Sequence, residues 1–234
     1  MGMILMVLGL GIKELYALYP IHKNLKPHLL LALSSGLLLP VVLMVLQYQW
    51  SPLYFILPAA VWITGIAWSR TLIPGIMTMF WLAVPLGSFF ALGYLNGGHQ
   101  FVPLLPLTVI ALVWINDTFA YLTGSLLGRH PMTPRLSPGK TWEGFVGGIL
   151  FTMLGGFIIS KITGEFISGT WIWISLLISI LGLAGDLFES GLKRRREVKD
   201  TGGILPGHGG ILDRFDSLLF VAPVILFLFY LLKS

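Results

Sequence analysis

The chain has 234 residues, of which 56% are hydrophobic and only 11% charged, with 15 basic against 10 acidic side chains. A soluble domain carries about 25% charged residues, so a mean hydropathy of +0.86 excludes that class in favour of an integral membrane protein. The absence of cysteine excludes disulfides, thiolate metal sites and a cysteine nucleophile.

Eight apolar runs follow one another, at 2–19, 28–46, 52–69, 72–95, 102–127, 144–160, 170–191 and 215–232. Each is long enough, or nearly so, to cross a hydrocarbon core of about 30 Å as a helix. The first has no basic leading segment and no small-residue cleavage site, so it reads as a span rather than a signal peptide. Its abrupt start inside an apolar run leaves open the expectation of a shortened N-terminus. The expected fold is all-α: one polytopic transmembrane helix bundle of about eight spans, with cytoplasmic catalytic loops.

Charge alternates along the loops. The first, third, fifth and seventh loops hold every basic residue except Lys13, Lys161 and Lys233. The positive-inside rule places those loops in the cytoplasm and both termini outside. Tyr48, Trp50, Tyr54, Trp68, Trp142, Trp171 and Trp173 fall near run ends, where interfacial anchoring accounts for them.

Carboxylates in or beside apolar runs are the unusual residues, because an ionised one near a bilayer centre costs about 2.5–3.5 kcal/mol on insertion scales. Glu14 stands next to Lys13 and is explained by pairing or by snorkelling. Asn116 and Asp117 lie in the fifth run, with Tyr121 about a turn later. Asp186 lies deep in the seventh run, with Glu189 at i+3 on the same face. Asp213 and Asp216 repeat that spacing at the start of the last run, where a carboxylate suits the helix dipole and Asp213 suits an N-cap. Hard oxygen donors without a His or Cys set point to Mg²⁺ rather than Zn²⁺, and Mg²⁺ held by one or two carboxylates ordinarily also binds phosphate.

Phosphate needs donors, and two loops carry them. The seventh offers Lys193, Arg194, Lys199, His208 and Arg214, with backbone N–H groups at Gly202, Gly203, Gly209 and Gly210 that can form an anion nest. Arg195 and Arg196 are explained by topology or anionic lipid alone. The fifth offers Ser137, Lys140 and Thr141 in Ser-Pro-Gly-Lys-Thr-Trp-Glu, just before a helix start. Thr141 with Glu143 is equally the pattern of an ordinary helix cap.

The residues Ser190-x-Leu192-Lys193-Arg194, then Lys199-Asp200-x-Gly202, then Leu205-Pro206-x-His208-Gly209-Gly210-Ile211-x-Asp213-Arg214-Phe215-Asp216 resemble the signature of phosphatidate cytidylyltransferases (CDP-diacylglycerol synthases). Asn116 to Tyr121 and Ser137 to Gly144 resemble the same family. The likeness is specific over about 110–220, taken as the catalytic core; residues 1–100 read as membrane-spanning helices of weak resemblance, and the whole chain as one transmembrane catalytic domain.

The resemblance implies transfer of the cytidylyl group of CTP to phosphatidate, giving CDP-diacylglycerol and pyrophosphate, by a multi-pass enzyme of the cell (inner) membrane. It implies Mg²⁺, a second cation (K⁺) and a homodimer. Asp186, Asp213 and Asp216 would form the metal centre, with Asp117 as a further candidate, and Lys193 would act with them. Arg194, Lys199, Asp200, His208, Gly209, Gly210, Arg214 and Glu189 would serve CTP and its phosphates. Ser137, Lys140, Thr141, Asn116 and Asp117 would complete the substrate site. A relative acting on an ether-linked lipid phosphate is the alternative within the class, and an ion-coupled transporter the alternative outside it. No nucleic-acid partner is expected.

Overall fold

A computed structural model describes residues 2–18, 60, 63–64, 72–95, 100–164, 168–198, 201–202 and 209–233. The runs at 28–46 and 52–69 fall almost wholly outside these residues, so the count of eight spans is not decided by them. The other runs are helical. They form α1 (Gly2–Ala17), α2 (Leu72–Met77), a π-helical segment (Thr78–Ala83), α3 (Val84–Leu92), α4 (Leu104–Leu127), α5 (Trp142–Thr163), α6 (Ser168–Arg195) and α7 (Leu212–Lys233). Among the described residues, five helical stretches are long and apolar enough to cross a membrane, the first being Gly75–Leu92. The chain is thus an all-α polytopic membrane protein. The π-helical widening runs up to Pro85, which has no N–H to return to the fourth residue before it.

The helices pack about a core that includes Leu8 and Leu15 of α1, Leu82, Leu92, Leu112, Ile174, Ile178, Ile225 and Phe229. Trp114, Leu150, Ile162, Trp173 and Phe227 are exposed, as suits side chains bathed in lipid. Water does not drive association inside a bilayer, so close backbone approach over small residues matters more. Helix α5 supplies a seam of glycines. A Cβ at Gly144 would lie 2.6 Å from the Ala120 carbonyl, and one at Gly147 would strike the Thr123 side chain. Hydroxyls within the bundle bond back to their own helices, as Thr152 does to the Gly148 carbonyl at 2.7 Å and Ser175 to that of Trp171 at 2.8 Å. No polar group there is left to lipid by these residues.

Among the described residues, one element is not helical. Between α4 and α5 the chain makes an antiparallel hairpin of β1 (Pro131–Thr133) and β2 (Ser137–Thr141), where the sequence suggests only a turn. The end of α1, the end of α6, the start of α7 and the hairpin meet at one end of the bundle: Glu14 bonds to the start of α7, Asp213 pairs with Lys193 of α6, and Lys140 and Leu136 of the hairpin bond to Asp186 and Arg194 of α6.

Candidate active site at the loop end of the bundle

The hairpin reaches the site because its base is pinned. Glu143 Oε2 accepts from the backbone N–H groups of Arg129 (3.1 Å) and His130 (3.2 Å), and its Oε1 lies 2.5 Å from His130 Nδ1. Thr141 is the N-cap of α5, its Oγ1 accepting from Gly144 N–H at 3.1 Å. The capping reading of Thr141 therefore holds, while Glu143 braces the hairpin. At the other end, Arg194 Nε donates to the Leu136 carbonyl at 3.4 Å, tying the end of α6 to the hairpin turn.

Behind the hairpin lies a cavity of about 240 Å³, lined in part by Asn116, Asp117, Lys140, Thr141, Asp186 and Ser217. Lys140 Nζ pairs with Asp186 Oδ2, and Ser190 Oγ donates to Asp186 Oδ1 at 3.3 Å. Asn116 Nδ2 donates to Asp117 Oδ1 at 3.2 Å, while its buried Oδ1 has no hydrogen-bond partner among the described residues. Asp216 is not itself a lining residue. Its Oδ1 accepts from Ser217 N–H at 2.6 Å, and Asp186, Asp117 and Lys140 all lie within electrostatic reach of it. A Cβ at Gly185 would lie 2.5 Å from the Asp216 carbonyl, so the glycine before Asp186 lets α6 and α7 touch where both carry an acid.

Toward the end of α6 and the start of α7 is a second cluster. Lys193 Nζ lies 2.5 Å from Asp213 Oδ1 and 3.2 Å from Glu189 Oε1. Asp213 Oδ2 accepts from Gly210 N–H (2.8 Å), Thr201 N–H (3.1 Å) and Thr201 Oγ1 (2.9 Å). Glu189 is fully buried, so it meets Lys193 rather than the cavity. Gly209 has φ +77°, a left-handed turn that glycine takes without penalty, and a Cβ there would come within 2.9 Å of Asp213 Oδ2.

The predicted residues therefore sort into two groups. The cavity gathers Asn116, Asp117, Lys140, Thr141 and Asp186, with Asp216 close behind. The second cluster gathers Lys193, Glu189, Asp213, Gly209 and Gly210. Arg194 joins the two loops, Arg214 is exposed on the first turn of α7, and Ser137 sits on β2 away from the lining. Lys199, Asp200 and His208 lie outside the described residues. Glu14 does not do what its neighbour Lys13 suggests. It is 4% exposed, and its oxygens meet Ile211, Leu212 and Thr201 across the bundle. No local signal in the sequence marks that contact, which spans nearly the whole chain. Ser217, whose Oγ donates to the Gly182 carbonyl at 3.2 Å, was also not singled out.

As a metal site the donor set is partly assembled. Asp117 and Asp186 bring hard oxygens to the cavity, with Asp216 adjacent; Asp186 is held there by Lys140 and Ser190, whereas Asp213 is held outside it by Lys193, Thr201 and Gly210. No three His, Cys, Asp or Glu side chains among the described residues surround one point. Mg²⁺ ordinarily takes one or two carboxylates and fills its remaining positions with water and phosphate, so the cavity acids fit that ion.

The model of the cytidylyltransferase family matches residues 1–232. Curated proteins named phosphatidate cytidylyltransferase are similar over about half the chain. That of Staphylococcus saprophyticus is 48% identical over 116 residues, 49% of this chain and 44% of the relative. That of Staphylococcus aureus is 47% identical over the same length, and that of Staphylococcus epidermidis 49% identical over 118 residues. In each, the matched stretch covers less than half of the relative's length.

Proposed function

The chain belongs to the cytidylyltransferase family, and from that premise we propose that it transfers the cytidylyl group of CTP to phosphatidate, forming CDP-diacylglycerol. The observation that carries the reading is the Lys140–Asp186 pair at a cavity where the hairpin's lysine meets acids of α4 and α6. A site that must bring one phosphate up to another needs such mixed charge.

In the reaction, a phosphate oxygen of phosphatidate attacks the α-phosphorus of CTP. The new P–O bond forms as the bond to the β-phosphate breaks, and pyrophosphate leaves with its electron pair. The nucleophile is already anionic, so no serine, cysteine or strong base is required. Positioning and charge neutralisation dominate such transfers. Lys140 would meet phosphate at the cavity, Thr141 and Asn116 would orient it, and Lys193, held by Glu189 and Asp213, would set the positive field nearer the end of α6. Lys199, His208 and Arg214 are assigned to the CTP phosphates on their motif positions. Asp186 and Asp216, with Asp117, would hold Mg²⁺, Asp186 by yielding its bond to Lys140; Asp213 would join them only by releasing Lys193. When bound, the ion would neutralise charge on the phosphates. The second cation, the homodimer and a cytoplasm-facing site in the inner membrane belong to the same proposal. The basic odd-numbered loops support that orientation, as does the meeting of α1's end with loop seven.

The test is purified protein in phosphatidate-containing micelles with Mg²⁺ and CTP labelled at the α-phosphorus. Label entering the organic phase with stoichiometric pyrophosphate is the expected result, abolished by chelation and restored by Mg²⁺. Preference for an ether-linked lipid phosphate would move the assignment to that relative. Cation flux without CTP consumption would overturn it.

A further inference from the structure

The first helix belongs to neither glycine-rich loop, yet it carries a heavily engaged carboxylate at the site end. Glu14 lies in the last turn of α1 and is buried. Its Oε1 accepts from Ile211 N–H and its Oε2 from Leu212 N–H, both at 2.9 Å, and Thr201 Oγ1 stands 3.4 Å from Oε2. Those two amides belong to the start of α7. A helix start exposes unpaired N–H groups and the positive end of its dipole, and a nearby carboxylate answers both. The cap normally comes from the residue before the helix, but here that residue is Ile211, which has no side-chain acceptor.

The loop is shaped to this carboxylate. A Cβ at Gly202 would lie 2.6 Å from Glu14 Oε1, and one at Gly210 would strike Oε2. Both glycines let the backbone close over Glu14 from either side. The same segments also bind Asp213, through Thr201 and Gly210. Glu14 and Asp213 thus hold the same pair of backbone segments, and Asp213 in turn fixes Lys193.

We propose that Glu14 is a positioning residue of the nucleotide site: it holds the Thr201–Gly202 and Gly209–Leu212 segments in the register that sets Asp213 on Lys193 and turns Asp216 toward Asp186. Its kinetic consequence rests on the CTP reading above; its effect on the loop does not. A merely structural role would loosen the whole bundle and leave substrate affinity to follow folded fraction.

The test compares the full chain in micelles as wild type, Glu14→Gln, Glu14→Ala and Lys13→Ala. Glutamine keeps the shape but turns an N–H against a backbone N–H. Amide hydrogen exchange in peptides covering 209–213 is expected to quicken in both Glu14 variants, more in Glu14→Ala, while peptides from 104–163 exchange as in wild type. The KM for CTP is expected to rise by about ten- to a hundredfold, the range for losing hydrogen bonds to a charged group, with a smaller change in kcat. Glu14→Gln should retain part of the affinity, and Lys13→Ala should match wild type throughout. Wild-type exchange at 209–213 in Glu14→Gln overturns the proposal. So does a loosened loop with an unchanged KM, or exchange that quickens equally across the bundle. If wild type consumes no CTP, the functional reading fails, and the exchange measurement still decides whether Glu14 holds the segment.

Discussion

The ammonium of Lys140, on the hairpin between α4 and α5, pairs with the carboxylate of Asp186 on α6. The hairpin and α6 thereby meet in one ion pair at the cavity wall. With side-chain exposures of 23% and 35%, the pair contributes little stability, about 1 kcal/mol or less. Its value lies in placing charge. Lys140→Met should therefore lower kcat/KM by about a hundredfold, or about 2.7 kcal/mol, while the unfolding midpoint in micelles stays near that of wild type. A variant equally impaired in stability would assign Lys140 to the fold instead.

Asp186 and Asp216 share the narrow contact that Gly185 allows between α6 and α7. If both serve one ion, Asp186→Asn and Asp216→Asn each cost at least about a hundredfold in kcat with the protein folded and inserted, and the double variant is scarcely worse than the poorer single, because groups acting as a unit are not additive. Steady-state rates across a Mg²⁺ titration check this. Independent, multiplicative losses would separate their roles, and retained activity in Asp186→Asn would remove it from the metal centre.

Much of this site is legible in the sequence because its signals are local. The i, i+3 spacing of Asp186 with Glu189, and of Asp213 with Asp216, puts each pair on one helix face, and the basic residues sort the loops to one side. Spacing does not say which of two faces a neighbour fills. It therefore cannot separate Asp186, which lines the cavity, from Asp213, which is wrapped by Thr201, Gly210 and Lys193. Nor does it find Glu14, whose partners lie 187 to 198 residues away. Adjacent Lys13 offered a local explanation, but Lys13 is exposed and the described ion pairs do not join it to Glu14. The hairpin was missed because Ser-Pro-Gly-Lys-Thr has no alternation of apolar and polar residues; backbone bonds and Glu143 hold it instead.

Lys193 stands between Glu189 and Asp213, and Glu189 is fully buried. Removing the cation leaves a buried carboxylate without its counter-charge, a loss of about 3–5 kcal/mol for such pairs. Lys193→Met should thus be strongly destabilising, and Lys193→Met with Glu189→Leu should recover part of the loss, because the second change removes the stranded group. Unfolding midpoints of the two singles and the double form the cycle that checks this. Strict additivity would mean that Glu189 and Lys193 are not coupled.

The seam between α4 and α5 is tested by Gly147 and Thr123. A Cβ at Gly147 would lie against the Thr123 side chain, 2.5 Å from Cγ2. Overpacking of this kind costs about 1–3 kcal/mol, so Gly147→Ala should lower the unfolding midpoint. Thr123→Ala removes Oγ1 and Cγ2 and leaves Cβ, 2.6 Å from the added methyl, so the double variant should be relieved in part and be more stable than Gly147→Ala alone. Gly144→Ala differs in kind, because it would meet the Ala120 carbonyl and the Gly124 Cα, and no side-chain change can clear backbone. It should be the more damaging of the two and resist rescue. Since Gly144 follows Thr141 and Lys140 by less than two turns, separating the helices there should also shift the hairpin and raise the KM for CTP, whereas Gly147→Ala with Thr123→Ala should leave that KM close to wild type. Equal rescue of both glycine variants by Thr123→Ala would show that the seam yields as a whole rather than at each contact.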